Sequence, residues 1–243
     1  MTKTYADLHL RADISNLQQA TGMIRKASQL GYNLIAIPLP AEPEDRFRRL
    51  KAICKENGID LASRVDLKPS SPDNLLQSLR KLRRKVEIIA VFCDSKPVAR
   101  QAGKDRRVDI LNLPSNDFRK RCFDLPEAQL ASSSMTSLEV DMSPLLTLEG
   151  APRARLLSFL RREVETARAF HVPVILSSGV SDELLMRKPQ DMAAITFLFD
   201  MDKENARRGV SSYPTTIVER NREKLSSRFV APGIHVVKRG GNC

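Results

Sequence analysis

The sequence predicts an irregular, TIM-like (β/α) barrel, a single α/β domain over residues 1–243 with seven to eight strands. Short β-rich apolar runs alternate with amphipathic helical stretches at a spacing of roughly 25–35 residues, the rhythm of parallel strands joined by crossover helices. The length of 243 residues sits close to the ~250 of a single barrel of this kind. The competing architecture, an open doubly wound sheet, usually carries a glycine-rich phosphate turn after its first strand. Here the chain reads RADISN after Leu10 and has no glycine before Gly22.

The elements follow in order. Tyr5–Leu10 is the first strand, and a helical pattern through Leu17, Met23, Ile24 and Leu30 stops at Gly31, a residue suited to a helix C-cap. Leu34–Pro38 reads as the second strand. A helix over Pro43–Asn57 places Phe47, Leu50, Ile53 and Cys54 on one face, and Gly58 closes it. Asp60–Asp66 is the third strand, and Pro72 opens a helix through Leu75, Leu76, Leu79 and Leu82. Glu87–Phe92, Val108–Leu113, Ser137–Asp141 and Val174–Ser177 are four further strands. The clearest helix, Pro152–Phe170, turns Leu156, Leu157, Leu160 and Val164 inward. Two or three shorter helices fill Ser181–Lys224, and the GIHVV run from Gly233 is an eighth or tail strand.

Composition narrows the partners. Lys and Arg total 40 against 29 Asp and Glu, a net charge of +11 that points to a polyanion, nucleic acid first. No window approaches the ~18 uninterrupted apolar residues of a membrane span. The start MTKTYADLHLR lacks the apolar stretch of a secretory signal, so an intracellular protein with no membrane association is expected. Cys54, Cys93, Cys122 and Cys243 contain no close pair of the kind zinc ribbons need, so reduced thiols are expected.

Catalytic chemistry finds little support. Barrel enzymes work at the C-terminal ends of their strands, where Asp7, His9 and Arg11 share one strand face. With a histidine at position 11 the trio would open a metal site, but Arg11 is a permanent cation and cannot ligate. Only His171 and His235 remain, too few for the imidazole and carboxylate ligands that multinuclear hydrolases gather from several strands. Asp7, His9 and Arg11 are therefore expected to form a self-satisfying polar cluster, with no metal or other cofactor held by the protein. A Ser177-Ser178-Gly179 turn could accept phosphate ahead of a helix near Ser181, although a plain β-to-α connection is the favoured reading. No nucleophile elbow or cysteine–histidine pair is evident. The competing enzymatic reading is a metal-dependent phosphoesterase with Asp7, His9 and Ser177 near its active site, and metal content separates the two.

Cations are the stronger signal. Four stand within Arg46–Lys51, five within Arg80–Lys85, and Lys104, Arg106, Arg107 and Arg119–Arg121 follow. On a helix whose inner face is Leu75, Leu79 and Leu82, residues Arg80, Lys81, Arg84 and Lys85 point outward, free to meet phosphates. With nine Phe, three Tyr and no Trp, no interleaved stacking platform is apparent. Recognition of the backbone and shape of structured RNA is expected. Arg187 and Lys188, beyond the Ser177–Gly179 turn, are further RNA-contact candidates. Pro189 favours a helix start after them, with Asp191 in its first turn to orient Arg187.

YADLHLR, SLEVDMSPLL and the stretch from VILSSGVSDELLMRKPQDM to SSYPTTIVERN together resemble the thirty-kilodalton protein subunit family of archaeal and eukaryotic ribonuclease P, known in archaea as protein component 3. The resemblance covers nearly the whole chain, and its most specific part is the C-terminal third, with Arg187, Pro189 and Asp191. It implies a distorted barrel related to the polymerase-and-histidinol-phosphatase metallohydrolases that has lost the metal ligands. It also implies a second ribonuclease P protein subunit as partner, in a heterodimer or heterotetramer, assembled with the catalytic RNA. The RNA, with magnesium, removes the 5′ leader of precursor tRNA, so no catalytic residue is assigned to this chain. Residues 192–199, with Met192, Ile195, Phe197, Leu198 and Phe199, are a candidate partner surface, although most of these side chains are expected in the core. The short run after Val237 favours an archaeal, cytoplasmic protein, a eukaryotic one being nuclear.

Overall fold

The computed structural model describes residues 4–40, 44–114, 117–231 and 234–235. Seven parallel strands run in sequence order: β1 (Ala6–Asp7), β2 (Leu34–Pro38), β3 (Asp60–Leu67), β4 (Ile88–Phe92), β5 (Ile110–Asn112), β6 (Ser137–Asp141) and β7 (Val174–Ser177). The seam between β1 and β7 carries no ladder. Backbone hydrogen bonds span it at the strand ends instead, from Gly179 N–H to the His9 carbonyl and from Arg11 N–H to the Val180 carbonyl. The sheet is thus an almost closed barrel. The strand expected to reach Leu10 ends at Asp7: the backbone of residues 9 and 11 bonds to 179 and 180, and the Leu10 N–H still reaches β2, at the Ala36 carbonyl.

Helices connect the strands: α1 (Leu17–Gln29), α2 (Glu44–Glu56), α3 (Pro72–Leu82), α4 (Lys96–Lys104), α5 (Leu125–Ser134), α6 (Ser143–Thr147) and α7 (Gly150–Ala169). The Ser71 hydroxyl accepts from Asn74 N–H and Pro72 opens the first turn of α3, a pairing that fixes its start. After β7 come α8 (Pro189–Ile195), α9 (Lys203–Gly209) and α10 (Ser212–Leu225). The helix expected near Ser181 is absent. Only a 3₁₀ turn, Glu183–Leu185, precedes α8. A small antiparallel hairpin of β8 (Phe229–Ala231) and β9 (Ile234–His235) stands apart from the barrel. The tail strand is therefore not an eighth barrel strand, and Gly233, Pro43 and residues 236–243 lie outside the described residues.

Two cores hold the molecule together. The larger one lies between strands and helices, and the smaller fills the barrel with Ala6, Leu8, Ala36, Ala62, Ile88, Ala90, Ile110 and Ile175. Small side chains on the inner face leave room for few large ones. Ile217 and Val218 of α10 join this inner cluster. The same helix ties to the strand starts: Asn221 and Arg220 bond Asp109, and Arg222 pairs with Asp60 and Glu87. Helix α10 thus plugs the N-terminal end of the barrel, leaving the C-terminal end as its mouth.

Candidate functional site

The barrel mouth is charged where the rest of the interior is apolar. Arg64, in the middle of β3, is 1 % exposed. Its guanidinium meets both Glu139 oxygens at 2.7 Å, Asp66 Oδ1 at 2.6 Å and the Leu8 carbonyl at 2.7 Å. Asn112 donates to Glu139 and Asp141, and the Ser177 hydroxyl donates to Glu139 at 2.7 Å. His9 lies over this group, with Nδ1 2.8 Å from Asp141 Oδ1 and Nε2 3.1 Å from Asp66 Oδ2. Two ring nitrogens facing two carboxylates are both satisfied only if both carry protons. Burial and the nearby Arg64 push the His9 pKa down, but Asp141 and Asp66 outweigh them and hold it up at about 10. Against the cost of their own burial, Arg64 and His9 hold the Asp66 carboxyl below its ordinary range, and His9 with Asn112 does the same for Asp141.

The trio read from the first strand does not form one cluster. Asp7 turns away from the mouth, its Oδ1 accepting from the backbone N–H groups of His9 and Ser178. Burial raises its pKa, and Oδ2 has no partner among the described residues. Arg11 is exposed and lines the rim of the mouth cavity. Only His9 joins the buried cluster, because β1 ends before strand alternation can align residues 7, 9 and 11. Nor is the serine turn open to phosphate. The backbone N–H groups of Ser178 and Gly179 are bound to Asp7 and His9, and a Cβ on Gly179, at φ +61°, would stand 2.8 Å from Asp141.

Whether the mouth fits the metal of a hydrolase is decided by its donor set. Ligand atoms of His9, Glu139 and Asp141 lie within 4.8 Å of one another, close enough for one ion. Yet each of them already meets an internal partner: the His9 nitrogens face carboxylates, and Glu139 is held by Arg64, Asn112 and Ser177. A guanidinium and an imidazolium supply the positive charge a metal would supply, so the arrangement does not fit a metal ion.

The candidate RNA contacts fall in two places. Arg80, Lys81, Arg84, Lys85 and Arg106 are exposed near the N-terminal end of the barrel. Arg83 joins their segments by donating to the Arg107 carbonyl while pairing with Asp109. The Lys224 ammonium is pushed down by burial and by Arg220, Arg83 and Arg106, so cations from α3, α10 and the loop before β5 converge there. Arg107 differs from its neighbours, since it is half-buried and bidentate on Asp105. Arg187 and Lys188 lie on the flank, not at the strand-end face. The Tyr32 hydroxyl, just before β2, donates to the Arg187 carbonyl, and neither residue lines the mouth. The Arg187 guanidinium turns to the Leu184 and Met186 carbonyls rather than to Asp191, which is exposed in the first turn of α8. Of the apolar 192–199 run, Met192 and Phe199 are buried, Ile195 is half-buried, and Phe197 and Leu198 face solvent.

A parallel barrel with an ion-paired mouth and a basic opposite end defines a TIM-like α/β protein sharing its scaffold with hydrolase barrels. A lactonase from Listeria monocytogenes superposes with a TM-score of 0.52 at 9 % identity, over 89 % of this chain and 94 % of that one. The organophosphorus hydrolase of Deinococcus radiodurans does so with a TM-score of 0.52 at 11 % identity, over 89 % and 93 %. The chain belongs to the RNase P subunit p30 family, whose pattern it matches over residues 4–226, and is thus a protein subunit of ribonuclease P. It is 29 % identical to ribonuclease P protein component 3 of Methanosarcina barkeri over 216 residues, 88 % of this chain and 87 % of the relative. The component 3 of Methanocaldococcus jannaschii is 30 % identical over 151 residues, 62 % and 65 % of the two chains. A chain in a structure of archaeal ribonuclease P with mature tRNA superposes with a TM-score of 0.84 at 24 % identity, covering 98 % of this chain and all of that one. Among the described residues, no helix is long and apolar enough to cross a membrane.

Proposed function

We propose that the chain is a non-catalytic, RNA-binding subunit that supports removal of the 5′ leader from precursor tRNA by the ribonuclease P RNA. The observation that carries this is the separation of charge. The acidic groups of the mouth are each paired from within by Arg64 or His9, whereas the cations Arg80, Lys81, Arg84, Lys85 and Arg106 are left exposed at the other end. Arg187 and Lys188 extend this surface on the flank. Cations there screen the repulsion between RNA segments and reduce the demand for magnesium, which resides on the RNA. The protein itself holds no metal or other cofactor. A second protein subunit of the particle docks on a surface that includes Phe197 and Leu198, both solvent-exposed. The compartment is the cytoplasm, as for soluble machinery acting on tRNA in archaea.

The test is reconstitution. The chain added to its cognate RNA, with and without the other protein subunits, should lower the magnesium needed for precursor tRNA cleavage, and the RNA-free chain should cleave nothing. Elemental analysis should find no stoichiometric zinc, iron or manganese. Cleavage by RNA-free protein together with a bound metal would overturn the proposal in favour of a metal-dependent phosphoesterase working at His9, Glu139 and Asp141.

A further inference from the structure

The mouth encloses a cavity of about 310 Å³, at the small end of ligand pockets and of a size for one small molecule. Its charges are layered. At the floor, Asp66, Glu139 and Asp141 pair, among the described residues, with two cations, Arg64 and His9, so one negative charge is left over. Asp66 and Asp141 are each partly open to the cavity, with side chains 25 % and 21 % exposed. A carboxylate has about four acceptor sites, and each of these two meets two hydrogen-bond partners among the described residues. The rim has the opposite sign, with Arg11 and Lys68 exposed. The half-buried ring of Phe92 also lines the cavity, with Lys68 Nζ over its face, 5.4 Å from the centroid. A ligand suited to these three levels carries hydrogen-bond donors at one end, a flat ring in the middle and an anion at the other.

We infer that the barrel mouth takes a single unpaired nucleotide, its base on Phe92 with ring N–H and amino groups on Asp66 and Asp141, and its phosphate on Arg11 and Lys68. This rests on the RNA-binding function above and deepens it by adding one base-reading site at the barrel end opposite the cations that meet backbone. Lys68 moves off the ring onto the phosphate when the base enters, exchanging one cation–π contact for a charge-assisted one. Guanine, which offers a ring N–H and an adjacent amino group to one carboxylate, fits the floor best. Uracil, with a single N–H and two carbonyls turned toward the acids, fits it worst.

Titration of the RNA-free full chain with guanosine, adenosine, cytidine and uridine 5′-monophosphates, followed by amide NMR shifts, tests the site. Saturable shifts around Phe92 and Gly179 are expected with the guanosine nucleotide, and about tenfold weaker binding of the uridine nucleotide, the order lost contacts to carboxylates produce. Lys68→Ala should weaken every nucleotide, and Phe92→Leu, which keeps an apolar wall, should weaken them by about tenfold through lost stacking. Inorganic phosphate that binds as well as the guanosine nucleotide would reduce the mouth to an anion rim and overturn the inference. So would an absence of shifts at millimolar nucleotide, or protection of the mouth by a protein subunit alone. A chain that binds the ribonuclease P RNA but no nucleotide leaves the RNA-binding function standing. A chain that takes a nucleotide but not the RNA leaves the mouth site standing alone.

Discussion

Arg64 supplies positive charge at the centre of the barrel, where Glu139 and Asp66 converge on it. It is wholly buried, and Glu139, its bidentate partner, has no exposed side-chain surface. Removing one member of such a pair leaves an uncompensated charge in the interior, a loss of about 3–5 kcal/mol. Arg64→Met should therefore lower unfolding free energy in urea by that order. Adding Glu139→Leu to it should recover part of the loss, since the charge left behind is then gone. His9 brings a pH signature of its own. Its pKa in the folded protein, at about 10, is raised above the ~6.5 of an unfolded chain. The stabilisation is fully present below pH 6.5 and is lost as pH rises toward 10. The wild-type melting temperature should fall across that window and that of His9→Gln should fall less. A variant with the same slope would show that His9 is neutral. On the acid side, the lowered Asp66 and Asp141 contribute above their unfolded values and lose that contribution as pH falls below about 4.

At the scale of elements, the apolar runs Leu34–Pro38 and Val174–Ser177 were legible because a strand covered on both faces reads as a continuous apolar stretch, and Ser137–Asp141 was legible from its strict alternation. Helices α4 and α5 went unread. Helix α5 buries Ala128, Ala131 and Ser134 together with Glu127, so its inner face is small and partly polar and gives no amphipathic stripe. Asp124 followed by Pro126 was the cap signal available there. The mouth was only partly legible for a related reason. Arg64 and Asp66, like Glu139 and Asp141, are charged residues two apart inside β-rich runs, which places them on the same strand face pointing into the barrel. That alternation marks a charged interior, while the pairing across strands depends on barrel register and is invisible in one sequence. The seam is where sequence and closure meet most tightly. Gly179 has φ +61° and no room for a Cβ beside Asp141, so Gly179→Ala should cost about 1–3 kcal/mol through strain and loosen the 9–179 hydrogen bond. Denaturation together with faster exchange of the Gly179 and Arg11 amides checks this, and an unchanged exchange pattern would contradict it.

For the whole molecule, the proposed RNA role turns on which of its many cations are free of internal partners. Net charge of +11 announced a polyanion, but the fold sorts the basic residues into two groups that sequence alone cannot separate. Arg64, Arg83, Arg107, Arg121 and Arg222 are held by carboxylates and serve the architecture. Arg80, Lys81, Arg84, Lys85 and Arg106 are exposed at the end plugged by α10. If that end meets the RNA backbone, each cation on a phosphate releases counterions, and log K against log salt loses a little under one unit of slope per contact removed. Replacing Arg80, Lys81, Arg84 and Lys85 together by alanine should flatten the slope for ribonuclease P RNA by about two to three units, since not all four cations reach a phosphate. The melting temperature should stay near that of the parent, because solvent-facing charges contribute little to folding. Arg107→Ala should do the reverse, lowering stability through the lost Asp105 pair while leaving the salt slope alone. Filter binding over a salt series, with a melt of each variant, reads both quantities. An unchanged slope in the fourfold variant would move the RNA surface away from this end, toward Arg187 and Lys188 on the flank.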